Sequence, residues 1–215
     1  MTWKQRAPGV FELIPGEQKN EGLESLTKMS NIPFSTFMTH RLSTWQHRDD
    51  SHRKAWPVIC EWATGAISHP FLTFLGDPGV GKTHLSLALG WEWLERGKTV
   101  LYYHVAGFLN ALRDGYKHSG ESDYGHIISF AKNCSLLILD DLGAEKETEW
   151  ATEQLDFVID HRYENLKPLI VTTNLTLDDL PPRIADRLRE GMLILLKGES
   201  FRKRKRRVDA RTGGD

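Results

Sequence analysis

The sequence is short of the features that mark secreted, membrane-bound or metal-built proteins. It has only two cysteines, Cys60 and Cys134. They sit in unrelated local contexts, which argues against a disulfide framework and for a reducing compartment. Its nine histidines fall without metal-ligand spacing, and no Cys/His pair reads as a zinc site. No apolar run approaches the ~20 residues that a membrane span needs. The amino-terminal stretch MTWKQRAPGV lacks the apolar core of a signal peptide. These absences predict a cytoplasmic protein with no membrane partner. The formal net charge is −1 and 27% of the residues are charged, as expected of a soluble globular chain.

The balance of charge hides an asymmetry. Arg202 to Arg207 reads RKRKRR, whereas Glu145–Glu149 and Asp178–Asp179 lean acidic. A basic tail on a balanced body suits an acidic partner, nucleic acid first, and equally suits a solvated tail that aids solubility. With 215 residues the chain has room for one α/β core and a modest extra segment. Residues 1–36 are polar, carry Pro8, Pro15 and Pro33, and show little periodicity, so an arm or loosely ordered segment is expected there. Residues 39–66 read as helical: Asp49, Asp50 or Ser51 supplies a cap, Trp56, Ile59 and Trp62 share one side, and Pro57 kinks or begins the helix.

From Phe71 the pattern alternates. Short apolar runs FLTFL (Phe71–Leu75), TVLYYH (Thr99–His104), SLLILDD (Ser135–Asp141), PLIVTTN (Pro168–Asn174) and MLILL (Met192–Leu196) read as five strands. Between them lie helical patterns over Lys82–Arg96, closed by Gly97, over Gly107–Asp114, ending at Gly115, over Asp123–Asn133, around Ala151, Leu155, Val158 and Ile159, and near Arg183–Glu190. Strands alternating with helices predict a five-stranded parallel sheet covered on both faces, a three-layer α/β fold. The division expected is an arm and helix over 1–66, an α/β core over 67–202 and a basic tail over 203–215.

The stretch GDPGVGKT, Gly76 to Thr83, fits the phosphate-loop pattern G-x-x-x-x-G-K-[ST] and sits between a predicted strand and a predicted helix, the context that pattern requires. The glycines let backbone N–H groups face inward with no Cβ in the way, and the helix adds its positive end. Lys82 neutralises the β- and γ-phosphates of a nucleotide, and the Thr83 hydroxyl can ligate Mg²⁺. The candidate nucleotide-binding residues are Gly76, Asp77, Pro78, Gly79, Val80, Gly81, Lys82, Thr83 and His84. LLILDD then offers two carboxylates at a strand's carboxyl end, where open α/β sheets bind ligands. Asp140 suits the Mg²⁺-linked carboxylate, through water, and Asp141 suits polarising the attacking water. Asn174, at the end of the next strand, reaches toward γ-phosphate and water or simply forms a turn; the residues alone leave both open.

The succession GDPGVGKTHL, LLILDDLGAEKETEWATEQL, VIDHRYENLKPLIVTTNL, RIADRL and GESFR resembles the DnaC/IstB-type branch of the AAA+ ATPases, which comprises helicase loaders and transposition helper ATPases. The resemblance spans about Phe34 to Arg202. Its most specific part is DDLG-x(6)-W-x(8)-I-x(2)-RY, Asp140 to Tyr163, followed by TTNL. It implies a P-loop AAA+ fold, ATP and Mg²⁺ as cofactors, Walker A and B roles for the loop and for Asp140 and Asp141, and a sensor role for Asn174. It also implies an arginine finger at Arg187, acting on a neighbouring subunit's site, and a second sensor at Arg202. Without the resemblance, Arg187 reads as a surface ion pair with Asp186 or Glu190. Relatives place the region matching Val105–Gly125 against single-stranded DNA. Here Arg113, Tyr116 and Lys117 have suitable chemistry, while Phe108 and Leu112 at i, i+4 suit a DNA contact or the core. The second Walker B acid is Asp where AAA+ proteins commonly carry Glu, and the chain ends too soon after Arg202 for a separate helical lid domain.

Two functions follow from the resemblance. One is ATP-driven assembly on single-stranded DNA and loading of a replicative helicase. The other is an ATPase helper of a transposase on duplex DNA. A small-molecule kinase needs an Arg-rich lid, which the sequence does not display. A nucleotide-gated DNA-binding module that does not turn over is a further alternative, with Asp141 too short to activate water.

Overall fold

The computed structural model of the chain describes residues 2–7, 10–14, 21–119, 121–144 and 148–201. The first two strands, β1 (Thr2–Ala7) and β2 (Val10–Ile14), pair antiparallel, Thr2 opposite Ile14. Helix α1 (Glu21–Ser30) follows. The segment expected to be a loose arm therefore carries a hairpin and a helix. Its sparse apolar residues suffice for docking: Leu23 and Leu26 pack on the core, and Ile32 just beyond is buried in it.

The helix expected over 39–66 is shorter. Only Asp50–Thr64 is α-helical, as α2. Turn chemistry holds the residues before it. The Thr44 hydroxyl donates to the Thr39 and Arg41 carbonyls and accepts from the Arg41 N–H, which offers the backbone an alternative to helix. Asp49 caps α2 by accepting the Ser51 N–H at 2.8 Å. Pro57 lies inside α2 rather than at its start.

The remaining elements are β3 (Phe71–Leu75), α3 (Lys82–Glu95), β4 (Val100–His104), α4 (Val105–Ser119), α5 (Glu121–Asn133), β5 (Leu136–Leu142), α6 (Glu149–Glu164), β6 (Leu169–Thr173), α7 (Pro182–Arg189) and β7 (Met192–Leu195). The five later strands form one sheet in the order β4-β5-β6-β3-β7, every neighbouring pair parallel. Period-two alternation divides the core. Leu72, Phe74, Ile138 and Ile170 face α2 and α3, while Phe71, Leu137, Leu139 and Val171 face α4 to α7. Helices on both faces make the sheet the middle of three layers, as expected. Among the described residues, no helix is long and apolar enough to cross a membrane.

Gly115 does not end α4, which runs four residues further. A Cβ at Gly115 would lie 2.9 Å from the Tyr124 backbone nitrogen. The glycine thus lets α4 and α5 approach closely, a packing role that looks identical to a helix stop in one dimension. Phe108 and Leu112 are fully buried against the sheet and belong to the core.

Candidate nucleotide site

The site lies at the carboxyl ends of β3, β4, β5 and β6. The turn from β3 to α3 is the glycine-rich loop. Gly76, Gly79 and Gly81 take φ values of 139°, 88° and 104°, which side chains rarely adopt. The space around them is also filled. A Cβ at Gly76 would meet the Leu196 carbonyl oxygen at 2.1 Å, and one at Gly81 would meet the Trp45 ring at 2.5 Å. The Gly79 carbonyl accepts the Phe201 N–H at 3.0 Å. Val80 is buried in the core, so its contribution to the loop is backbone.

Lys82 opens α3 and is 6% exposed. Its Nζ donates to the Gly76 carbonyl (2.6 Å), the Asp77 carbonyl (3.0 Å) and Asn174 Oδ1 (2.7 Å). Asn174 Nδ2 donates to Asp141 Oδ1 at 2.7 Å. The amide orientation follows, since an ammonium only donates and a carboxylate only accepts. One asparagine thereby links the loop lysine to the second acid.

Asp140 is fully buried. Thr83 Oγ1 contacts its two carboxylate oxygens at 3.0 and 3.1 Å, Thr172 Oγ1 donates to Oδ1 at 2.7 Å, and the Tyr102 hydroxyl donates to Oδ2 at 3.0 Å. His104 Nε2 lies 3.4 Å from Oδ2. A buried carboxylate persists where hydroxyl donors surround it. Burial and the neighbouring Asp140 carboxylate push the Tyr102 phenol well above its usual range, so it stays a donor. Beside it the β5–β6 register shifts between Leu139 and Leu142, and Asp141 has φ 62°. The displaced Asp141 N–H donates to Thr172 Oγ1 at 2.9 Å.

Thr83 and Asp140 fit Mg²⁺. Both are hard oxygen donors, and the described residues hold no cluster of three or more His, Cys, Asp or Glu side chains that would make an all-protein cage. Mg²⁺ in phosphate sites takes one or two protein oxygens and completes its shell with phosphate and water.

A cleft of about 520 Å³ connects these groups; Pro78, Lys82, Thr83, Asp141 and Asn174 line it. His84 also lines it, with its ring beside Trp45 and Nε2 3.2 Å from the Arg41 carbonyl; burial lowers its pKa below the usual value. Sequence reasoning passed over Trp45, Arg48, His104, Thr172 and Phe201 in the walls. The Arg48 guanidinium sits 3.8 Å from the Phe201 ring centroid, and Trp45 sits 5.8 Å from the same ring. The signal for Tyr102 and His104 was available, because they alternate at the end of the strand beside the acids. Trp45 and Arg48 lie in the segment that pattern reading assigned to a helix.

One expected site residue lies elsewhere. Arg187 is on α7, outside the cleft lining. It pairs with neither Asp186 nor Glu190: Asp186 holds Arg189, and Glu190 accepts the Tyr163 hydroxyl. Arg187 Nε instead donates to Asp160 Oδ1 at 3.0 Å, and its guanidinium lies 4.3 Å from the Tyr163 ring centroid. Arg202 lies outside the described residues, as do the rest of the basic run and the Lys117 side chain. Arg113 covers Trp150, guanidinium to ring centroid 4.7 Å, and Tyr116 is exposed.

Residues 60–209 match the model of the family described as IstB-like ATP binding protein. The replicative helicase loader DnaC of Escherichia coli K12 is 31% identical over 137 residues, which is 61% of this chain and 56% of that protein. The chain thus spans little more than half the length of that relative. A protein named for insertion sequence IS5376 of Geobacillus stearothermophilus is 28% identical over 214 residues, 93% of this chain and 82% of the other. The crystal structure of the DnaC helicase loader superposes with a TM-score of 0.64 at 25% identity, covering 75% of this chain and 98% of that one.

Proposed function

Because the chain belongs to the family of IstB-like ATP-binding proteins, we propose that it hydrolyses ATP with Mg²⁺ as its subunits assemble on single-stranded DNA, and that it loads a replicative helicase there. The carrying observation is that Lys82, Thr83, Asp141 and Asn174 line one cleft, with the buried Asp140 bonded to Thr83 behind it, while Arg187 stands outside.

In this reading the inward N–H groups of Gly76–Thr83 and the Lys82 ammonium hold the β- and γ-phosphates. Thr83 and Asp140 hold Mg²⁺, which when bound offsets charge on the phosphate oxygens. Asp141 orients a water for attack on the γ-phosphorus, and the β–γ bridging oxygen departs with ADP. Asn174 Nδ2 donates one N–H to Asp141 and offers its second to the γ-phosphate, which links the acid to the triphosphate. Arg187 of one subunit supplies cationic charge to the site of the next, which makes turnover depend on assembly. Arg202 acts on the γ-phosphate from within its own subunit. Tyr116 and Arg113 offer a ring and a cation for a DNA strand.

The similarity to the insertion-sequence protein over 93% of the chain favours a second reading, an ATPase helper of a transposase on duplex DNA. Steady-state ATP hydrolysis without DNA, with single strands and with duplex, in the wild type and Arg187→Ala, separates the two. The loader reading expects stimulation by single strands that Arg187→Ala abolishes while ATP binding survives. Stimulation by duplex alone moves the assignment to the transposase helper. Stimulation unchanged in Arg187→Ala removes that residue from the reaction.

A further inference from the structure

Arg187 is held by a small construction on α6 that the nucleotide cleft does not explain. Asp160 lies one helical turn from Tyr163's end of α6, and both side chains point at α7. Asp160 Oδ1 accepts from Arg187 Nε at 3.0 Å. Its other oxygen, Oδ2, is taken by Arg183, one turn before Arg187 on α7. Asp160 is 15% exposed, whereas the Arg187 side chain is 30% exposed.

The stoichiometry of these contacts matters. A carboxylate with both oxygens available grips a guanidinium through two parallel N–H···O bonds and consumes its fork. Here Arg183 occupies the second oxygen, so Asp160 holds Arg187 at a single point, by the Nε edge. The face of the guanidinium rests on the Tyr163 ring at 4.3 Å, a cation–π contact. The ring is itself fixed, because its hydroxyl donates to Glu190 and its edge meets Phe71 at 6.1 Å between centroids. Arg187 thus has its plane set by Tyr163 and its rotation set by Asp160.

We infer that Asp160 and Tyr163 are positioning residues that pre-orient Arg187 for the phosphates bound in a neighbouring subunit, with Arg183 keeping Asp160 from closing on the guanidinium fork. This rests on the reading of Arg187 as a residue that acts across a subunit contact. An arginine on an unanchored chain would lose rotamer entropy each time it engaged, and misplacement by about 1 Å can cost on the order of a hundredfold in rate.

Subunit mixing tests it. Arg187→Ala subunits keep their own cleft but offer no arginine. Asp141→Asn subunits offer the arginine but do not turn over. Mixed with ATP and single-stranded DNA, the pair should recover hydrolysis that neither shows alone. Replacing the second partner by an Asp141→Asn, Asp160→Ala double variant should lower the recovered rate by roughly tenfold or more. Nucleotide affinity, DNA-dependent assembly and melting temperature of the double variant should match those of Asp141→Asn. Asp160→Asn, which keeps the shape without the charge, carries the same comparison should Asp160→Ala not fold. Full recovery with the double variant overturns the inference and leaves the trans role of Arg187 standing. A loss that tracks a lower melting temperature and weaker assembly assigns Asp160 to helix packing and also overturns it. No recovery in the reference mixture removes the trans reading itself, and the inference with it.

Discussion

At the scale of single residues, Thr172 shows how much chemistry one hydroxyl can organise. It accepts the Asp141 N–H and donates to Asp140 Oδ1, so its one proton and one lone pair tie both acids to β6. Thr172→Val keeps the shape and removes both bonds. Stranding a buried N–H costs about 1–3 kcal/mol. Beyond that stability loss, the Mg²⁺ concentration needed for tight binding of a fluorescent ATP analogue should rise, and Thr172→Ser should restore it. A lower melting temperature with unchanged Mg²⁺ dependence would limit Thr172 to a packing role. The lysine, the threonine and the acids were legible in the sequence, because each sits in a local pattern whose meaning depends only on near neighbours. The role of Thr172 was not, because its partner Asp140 is more than thirty positions away and only strand pairing brings them together.

Among the elements, α6 has the most demanding seam. Arg162 is fully buried and its guanidinium donates to the carbonyls of Ala131 (2.7 Å), Cys134 (3.0 Å) and Pro168 (2.5 Å). One planar cation therefore pins the end of α5, the start of β5 and the approach to β6, and burial lowers its pKa. Arg162→Met should cost about 3 kcal/mol or more in urea unfolding, since three carbonyls lose their donor at about 1–3 kcal/mol each. A loss within about 0.5 kcal/mol, typical of surface positions, would show that water or a shifted backbone replaces it. The arginine stands in the RY pair that carries the family resemblance, yet pattern alone assigned it no task. The five strands of the parallel sheet were readable as apolar runs and were found within a residue or two, whereas β1 and β2 were not foreseen. The misread elements had two causes: α4 runs on through Gly115, where α5 packs closely, and the residues before Asp50 stay out of the α-helix because Thr44 and Asp49 bond the nearby backbone.

Across the whole molecule, the order β4-β5-β6-β3-β7 places the loop lysine after β3 and the acids of β5 on either side of β6, whose following Asn174 bridges them, while Arg187 on α7 stands outside the cleft. A site that needs a neighbour's arginine has a kinetic signature. Hydrolysis per subunit should climb with protein concentration and level off once assembly is complete, while Arg187→Ala should stay flat over the same range. A specific activity independent of concentration in the wild type would mean that each subunit works alone. The parallel sheet and its two-sided cover were foreseeable from alternation, whereas the docking of α1 was not, because a few apolar anchors among polar residues give no period. The docking of Phe201 on the Gly79 carbonyl reaches into laboratory practice. The polypeptide leaves the described fold at the nucleotide cleft, not on the opposite edge of the sheet. A label attached at position 201 therefore reports on that cleft, and an environment-sensitive dye there should respond when nucleotide binds.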